Sequence, residues 1–252
     1  MKSILISART NSTRLPEKAM LNICGKPTIQ YLIENLKKSH YSDDIILCTT
    51  LESSDDNLCS LAKSCGIKYF RGSTEDKIDR WLGACKKYGV EFFVTADGDD
   101  IFCDHGLIDS IFEQHERTKS DFIDGRGLYN DVYGISFVAI EEVCKNKNNR
   151  NTEFIKPYFD AYGNKYKIQK ADNVPSIYHK KNIRMTLDYE EDLLFFKEVI
   201  SHFKTIEEDM NFENILSFLE KNPHVTKINW FREESWKQNQ NNMIQSIKDK
   251  GL

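Results

Sequence analysis

Arg9, Arg14 and Lys18 fall within ten residues of one another in the stretch ISARTNSTRLPEKAM, positions 6–20, directly behind the first apolar run. That is a dense positive loop for a 252-residue chain whose formal net charge is −4. Guanidinium forks grip phosphate oxygens in pairs, and a lysine adds a mobile point charge. Ser12, Thr13 and free backbone N–H groups complete a dipolar cradle, so the loop suits a polyphosphate. It is neither a Walker A loop nor a dinucleotide turn, because GxxxxGKS/T and GxGxxG are both absent. A solvated charged loop with Pro16 as turn former is the competing reading. The second chemical feature is DGDD at 97–100. Clustered carboxylates facing a triphosphate repel it unless a divalent cation lies between them, which suggests a Mg2+ site. The acidic spacing does not fit a calcium-binding EF-hand loop, and a plain Gly/Asp turn is the alternative.

Both features need a scaffold that brings loops together. Apolar runs at 3–7, 44–50, 67–73 and 90–96 read as strands. Amphipathic patterns at 26–39, 53–66, 74–89 and about 104–118 read as helices. Such alternation with short connections predicts an α/β fold, a mostly parallel twisted sheet with helices on both faces. Ligands then sit beyond the carboxyl ends of the strands, so the loops at 8–18, 71–76 and 97–100 should share one edge. After residue 120 the pattern becomes a smaller mixed region. DFIDGRGLYNDVYGISFVAI looks like strands, NTEFIKPYFDAY like a helix interrupted by Pro157, and KYKIQKA and NIRMTLD like short strands. Residues 189–222 read as two helices. The expected organisation is one domain over 1–236 and a polar tail over 237–252, with five Asn/Gln at 238–242 and a tendency to fray.

Composition narrows the function classes. At 40% hydrophobic and 12% aromatic, the chain can bury a sizeable core. No basic stripe points to nucleic acid, and no 18-residue apolar run points to a membrane span. Met1 to Leu5 lead into a strand-like run without a signal-peptide core. Seven scattered cysteines without a CxxC pair read as reduced thiols, and a cytoplasmic protein is expected. The six histidines are dispersed; His105 alone lies beside the acidic loop.

The opening ISARTNSTRLPEKAMLNICGKPTIQYLIENLKKS resembles the cytidylyltransferases that make CMP-activated acidic sugars. These are the CMP-Kdo and CMP-sialic acid synthetases, with the spore-coat-polysaccharide-type (acylneuraminate cytidylyltransferase-like) branch nearest. The pattern A-R-x-x-S-x-R-L-P-x-K followed by G-K-P runs from Ala8 to Pro27. The resemblance continues through DDNLCSLAKSCGIKYFRGSTEDKIDRW, GDDIFCDHGLIDSIF and RMTLDYEEDLLFF, in order over roughly residues 1–200. It implies a nucleotide-diphospho-sugar transferase (GT-A-like) fold and transfer of a cytidylyl group from CTP to an anionic small-molecule acceptor, for surface polysaccharide precursors. By the resemblance Arg9, Ser12, Arg14 and Lys18 hold the CTP phosphates, with Lys18, Arg9 and Arg14 in the catalytic role. Arg71 and Asp76 lie near the cytidine, backbone groups around Ser7 and Ala8 read the base, and Asp97 flanks the nucleotide. Asp99 and Asp188 hold Mg2+. Relatives are commonly dimers through the segment after the fourth strand, where YGISFVAI could be a core strand or an interface.

Departures from the family pattern fall on one side of the expected site. Relatives often carry Gly where Glu17 stands, and a less acidic stretch in place of DGDDI. Tyr133 occupies a position where the nearest branch usually shows an acid, while Asp131 is kept. Arg126, Asp131, Tyr133, Thr152, Glu153 and Lys156 are the candidate acceptor residues. The acceptor itself stays open between an acidic sugar, a sugar or alditol phosphate and a phosphonate. Two other functions compete. Asp97-Gly98-Asp99 also satisfies the D-x-D pattern of metal-dependent glycosyltransferases, a reading that leaves Arg9, Arg14 and Lys18 without a role. A non-catalytic nucleotide-binding relative is the other.

Overall fold

The computed structural model describes residues 1–179 and 182–249; of the expected polar tail, residues 250–252 lie outside the described residues. Four parallel strands form the centre: β1 (Lys2–Ser7), β4 (Asp44–Thr50), β5 (Lys68–Gly72) and β6 (Phe92–Asp97). A small antiparallel pair, β2 (Asn22–Ile23) and β3 (Lys26–Pro27), stands apart. Strands β7 (Phe122–Gly125), β8 (Val132–Ser136) and β9 (Ile168–Lys170) extend the sheet to the order β5-β4-β1-β6-β8-β7-β9. Strand β8 runs antiparallel to both of its neighbours, and β9 is parallel to β7. The expected mostly parallel sheet is therefore observed, with the mixed region added at its far side.

Period-two alternation distributes each central strand between two cores. Ile4 and Ile6, Ile45 and Leu47, and Phe92 and Val94 face one side. That side is covered by α1 (Thr28–Leu36), α2 (Asp56–Ser64) and α4 (His105–Thr118). Leu5, Ile46, Cys48 and Phe93 face the other, under α3 (Lys77–Tyr88), α5 (Phe137–Asn146) and α6 (Lys156–Ala161). A third cluster packs Leu15, Ile101, Phe102 and Leu187 against α7 (Glu190–Ile206), α8 (Phe212–Lys221) and α9 (Pro223–Trp230). Helix α10 (Arg232–Asp249) is the last element among the described residues.

Several local expectations change. Pro157 does not interrupt a helix; it occupies the first turn of α6, where a missing N–H costs nothing. Residues 182–188, read as a strand, pair with no strand, although Leu187 N donates to the Asp99 carbonyl at 2.9 Å. The YGISFVAI run divides at Ser136, whose hydroxyl accepts from Ala139 N and caps α5. Its Ile135, Ala139 and Ile140 are core, while Val138 is exposed. Residues 237–249, expected to fray, continue α10. All seven cysteines are free thiols outside any disulfide, as expected. Among the described residues no helix is long and apolar enough to cross a membrane.

One glycine is dictated by packing at the functional edge. A Cβ on Gly98 would lie 2.8 Å from Ala8 Cβ and 3.0 Å from the Ser7 carbonyl oxygen. Gly98→Val should therefore destabilise the chain by about 1–3 kcal/mol through overpacking, read as a lowered urea midpoint at unchanged m-value.

Candidate active site

The carboxyl ends of β1, β4, β5 and β6 lie along one edge, and there a cleft of about 1080 Å³ opens. Sheet register sets Ser7 of β1 beside Asp97 of β6, and Gly98 N donates to the Ser7 carbonyl at 2.8 Å. Beyond Ser7 the chain turns into the cationic loop, whose shape is held from beneath by Asp55. One Asp55 oxygen accepts from Thr10 N (2.8 Å) and Thr10 Oγ1 (2.7 Å). The other accepts from Thr49 Oγ1 (2.8 Å), Thr50 N (3.1 Å) and Thr50 Oγ1 (2.5 Å). Burial opposes the charge on Asp55, but the donors of Thr50 and Thr10 outweigh it and hold the carboxyl below its ordinary range. Glu17 lies at φ +55°, a left-handed conformation that glycine adopts without penalty.

Lys18 closes the loop onto two distant carboxylates. Its ammonium lies 2.5 Å from Asp99 Oδ2 and 2.8 Å from Asp188 Oδ1. Arg14 Nη2 reaches the same Asp188 oxygen at 2.6 Å. Asp188 is fixed in turn: its N–H donates to Asp192 Oδ2 at 2.9 Å, and Arg184 lies 3.6 Å from its second oxygen. Arg184 grips Asp192 through Nε (2.8 Å) and Nη2 (3.0 Å), both side chains being fully buried. Burial acts to raise the Asp188 pKa, but Lys18 and Arg14 prevail and bring it to about 2. On Asp99, burial prevails over Lys18, and Asp188 and Asp97 add to it, so this carboxyl sits above its ordinary range. The asymmetry follows from Arg14, which serves Asp188. Two carboxylate oxygens within hydrogen-bonding reach of one ammonium are close enough to share a cation. Asp99 and Asp188 are thus a pair that can hold a divalent ion completed by phosphate oxygens and water. Among the described residues there is no cluster of three or more His, Cys, Asp or Glu side chains that could hold a metal alone.

Ser7, Ala8, Arg9, Ser12, Arg14, Lys18, Asp97, Asp99 and Asp188 all line the cleft, as do Arg126, Asp131, Tyr133, Glu153 and Lys156. Asp97 accepts from Lys77 Nζ at 2.6 Å, and Arg9 lies 3.5 Å from Glu153. Arg126 forms a two-pronged bond to Asp124, at 3.0 and 2.9 Å, and Lys156 sits between Asp124 and Asp160. Tyr133 stacks on Phe122, with ring centroids 5.6 Å apart, and burial pushes its phenol pKa up.

Three expected site residues stand elsewhere. Arg71 turns to the Thr50 and Glu52 carbonyls and to Asp56, where β5 meets α2. Asp76 caps α3 through Asp79 N and pairs with Lys147. Thr152 donates to Asp76 and accepts from Ile78 N, holding the 150–155 segment on that helix terminus. All three are fastened to the scaffold and absent from the cleft wall. His105 meets Asn35 at 3.2 Å, also outside the cleft. Conversely, Lys77, Arg80, Arg184, Trp236 and Gln240 line the cleft without having been singled out. Arg184 stands in the RMTLD stretch, four residues before Asp188, and that spacing was its one signal.

The cytidylyltransferase family model matches residues 3–240 of the chain. The chain belongs to that family. A protein of Methanocaldococcus jannaschii with no characterised function is 33% identical over 230 residues, covering 89% of this chain and 93% of its own. The spore coat polysaccharide biosynthesis protein SpsF of Bacillus subtilis is 22% identical, covering 87% and 94%. A cytidylyltransferase structure from Leptospira borgpetersenii superposes with a TM-score of 0.78 at 26% identity, covering 89% of this chain and 96% of that one. This cytidylyltransferase thus carries the expected nucleotide-diphospho-sugar transferase type of fold.

Asp192→Ala should cost about 3–5 kcal/mol, because it leaves the buried Arg184 guanidinium without its main partner. Equilibrium urea unfolding checks this, and Asp188 should lose its orientation in the same variant.

Proposed function

We propose that this cytidylyltransferase is Mg2+-dependent and couples CTP to an anionic acceptor, an acidic sugar or a phosphorylated or phosphonate compound, for surface polysaccharide precursors. The observation that carries the reading is the meeting of Lys18, Asp99 and Asp188 in one cleft, at 2.5 and 2.8 Å. The spore coat role printed in the name of the Bacillus subtilis relative supports the biosynthetic setting.

In this reading Arg9, Ser12 and Arg14 bind the triphosphate, and Lys18 exchanges a carboxylate for a phosphate oxygen as the nucleotide enters. Asp99 and Asp188 hold the Mg2+, which, when bound, neutralises charge on the α-phosphate and the departing pyrophosphate. An acceptor oxygen attacks the α-phosphorus in line and the bond to pyrophosphate breaks, with no covalent enzyme intermediate. Alignment and preorganised charge supply the rate. Tyr133, Arg126 and Asp131 present the acceptor side, where burial keeps the Tyr133 phenol neutral.

The glycosyltransferase reading gains little from the geometry. Asp97 and Asp99 of the D-x-D pattern face different lysines, Lys77 and Lys18. The test is pyrophosphate release from CTP and Mg2+ with a panel of acidic sugars, sugar and alditol phosphates and phosphonates. Release is expected with at least one acceptor, and Asp99→Asn should lower the rate by about 10²–10³. Silence across the panel, together with no CTP binding by calorimetry, would rule the proposal out.

A further inference from the structure

Three guanidiniums converge on the ring of Tyr189, the residue that follows Asp188. The guanidinium carbon lies 5.8 Å from the ring centroid for Arg14, 5.5 Å for Arg184 and 4.9 Å for Arg232. At such distances the face of an aromatic ring attracts a cation. Tyr189 is itself held from two sides. Its backbone N–H donates to Asp192 Oδ2 at 3.0 Å, at the start of α7, and its hydroxyl accepts from Asn239 Nδ2 of α10 at 3.2 Å. Each guanidinium also has a carboxylate of its own: Asp188 for Arg14 at 2.6 Å, Asp192 for Arg184 at 2.8 Å and Glu191 for Arg232 at 2.7 Å. Arg14 lines the cleft, whereas Tyr189 stands behind it.

We infer that Tyr189 is a positioning residue that keeps Arg14 aimed at the triphosphate once Asp188 turns to the metal ion. The inference rests on the Mg2+-dependent reading above. The bond to Asp188 is the one hydrogen bond that Arg14 makes among the described residues, and its Nε is buried without a partner. In the proposed complex Asp188 holds the ion, so Arg14 loses its carboxylate. Arg184 and Arg232 keep theirs, each gripped by two prongs. A long side chain released in this way gains rotamers, which the ligand must then freeze again at a cost in affinity. The Tyr189 ring leaves the freed arginine one attractive neighbour. A π face takes no N–H donor from the edge of the guanidinium, so the fork stays available for phosphate oxygens. Arg184 and Arg232, fixed around the same ring, add a like-charge repulsion that disfavours retreat of Arg14 toward α7 and α10. Because Tyr189 does not line the cleft, it acts through Arg14 and not on the ligand.

The experiment measures binding of CTP and of inorganic tripolyphosphate, each with Mg2+, by calorimetry to the full chain. The variants are Tyr189→Phe, Tyr189→Leu, Arg14→Met and the double variant Arg14→Met with Tyr189→Leu, and thermal melts establish that each folds. Tyr189→Met takes the place of Tyr189→Leu if the latter does not fold. Tyr189→Leu should weaken both ligands by about threefold to tenfold, while Tyr189→Phe, which keeps the ring, stays within about twofold. In the Arg14→Met background Tyr189→Leu should change neither affinity, because the group it acts through is gone. An equal loss in that background would mean that Tyr189 acts on Asp188 or α7 and would overturn the inference. So would wild-type affinity in folded Tyr189→Leu, a loss in Tyr189→Phe as large as in Tyr189→Leu, or a loss confined to CTP. A wild type that binds neither ligand would overturn the inference together with the reading beneath it; in every other outcome the wild type binds, so the two failures are distinct.

Discussion

The ammonium of Lys18, held between Asp99 and Asp188, is the interaction on which the site depends. Its partners lie 81 and 170 residues away in the chain. Charges this deeply enclosed persist only in mutual satisfaction, because each carries a desolvation penalty that its partners offset. The triad therefore constrains three segments at once: the loop after β1, the turn after β6 and the approach to α7. In the proposed reaction the same constraint becomes useful. A cation and a triphosphate can take over the carboxylates and the lysine respectively without leaving any of them bare.

The supporting structure is arranged to hold that meeting point still. The central sheet delivers Ser7 and Asp97 side by side, and Gly98 lets the two loops touch where any side chain would separate them. The third hydrophobic cluster supplies the other half. Leu15 from the cationic loop, Ile101 and Phe102 from the acidic turn, and Leu187 before Asp188 are buried in one apolar body with Phe195 and Phe196 of α7. Each charged member of the triad is thus followed or preceded by an apolar anchor in a common core. Asp55 does the corresponding task from the β4 side, converting Thr10 into a fixed hinge for the loop. Positioning here is achieved by burial on one side and by a saturated carboxylate on the other.

What could be read from the chain follows from which forces are local. The alternation of Ile4, Leu5 and Ile6 or of Ile45, Ile46 and Leu47 states both faces of a sheet, so the architecture was legible before any contact was known. Loop chemistry was legible where a run of like charge makes a local statement, as with Arg9, Arg14 and Lys18. Distant partners leave no such statement. Arg71, Asp76 and Thr152 sit in a suggestive stretch or an expected pocket, yet their hydrogen bonds go to Asp56, Lys147 and Ile78 on neighbouring elements. The 237–249 segment is mostly polar, and its placement at the cleft through Lys237, Gln240, Met243 and Ile244 is a tertiary fact with little local signal. Residues 182–188 read as a strand because they alternate, but the burial they express is against the third cluster, not in a ladder.

Charge pairing also distinguishes the two ends of the cleft. On the wall proposed to face the acceptor the cations are already answered: Arg126 by Asp124, and Lys156 by Asp124 and Asp160. That wall presents hydrogen-bonding geometry and shape rather than free positive charge, and Tyr133, held neutral by burial, adds a phenol to it. In the proposed reaction a negative acceptor would find its attraction at the reacting centre, where a divalent cation taking over Asp99 and Asp188 would release Lys18 and Arg14, and not at the wall. An acceptor whose charged group is close to its attacking oxygen, as in a sugar acid or a phosphate, would satisfy that gradient better than one with a remote charge. Recognition at this end becomes a matter of fit, while the electrostatic pull works along the path that brings the nucleophile to phosphorus.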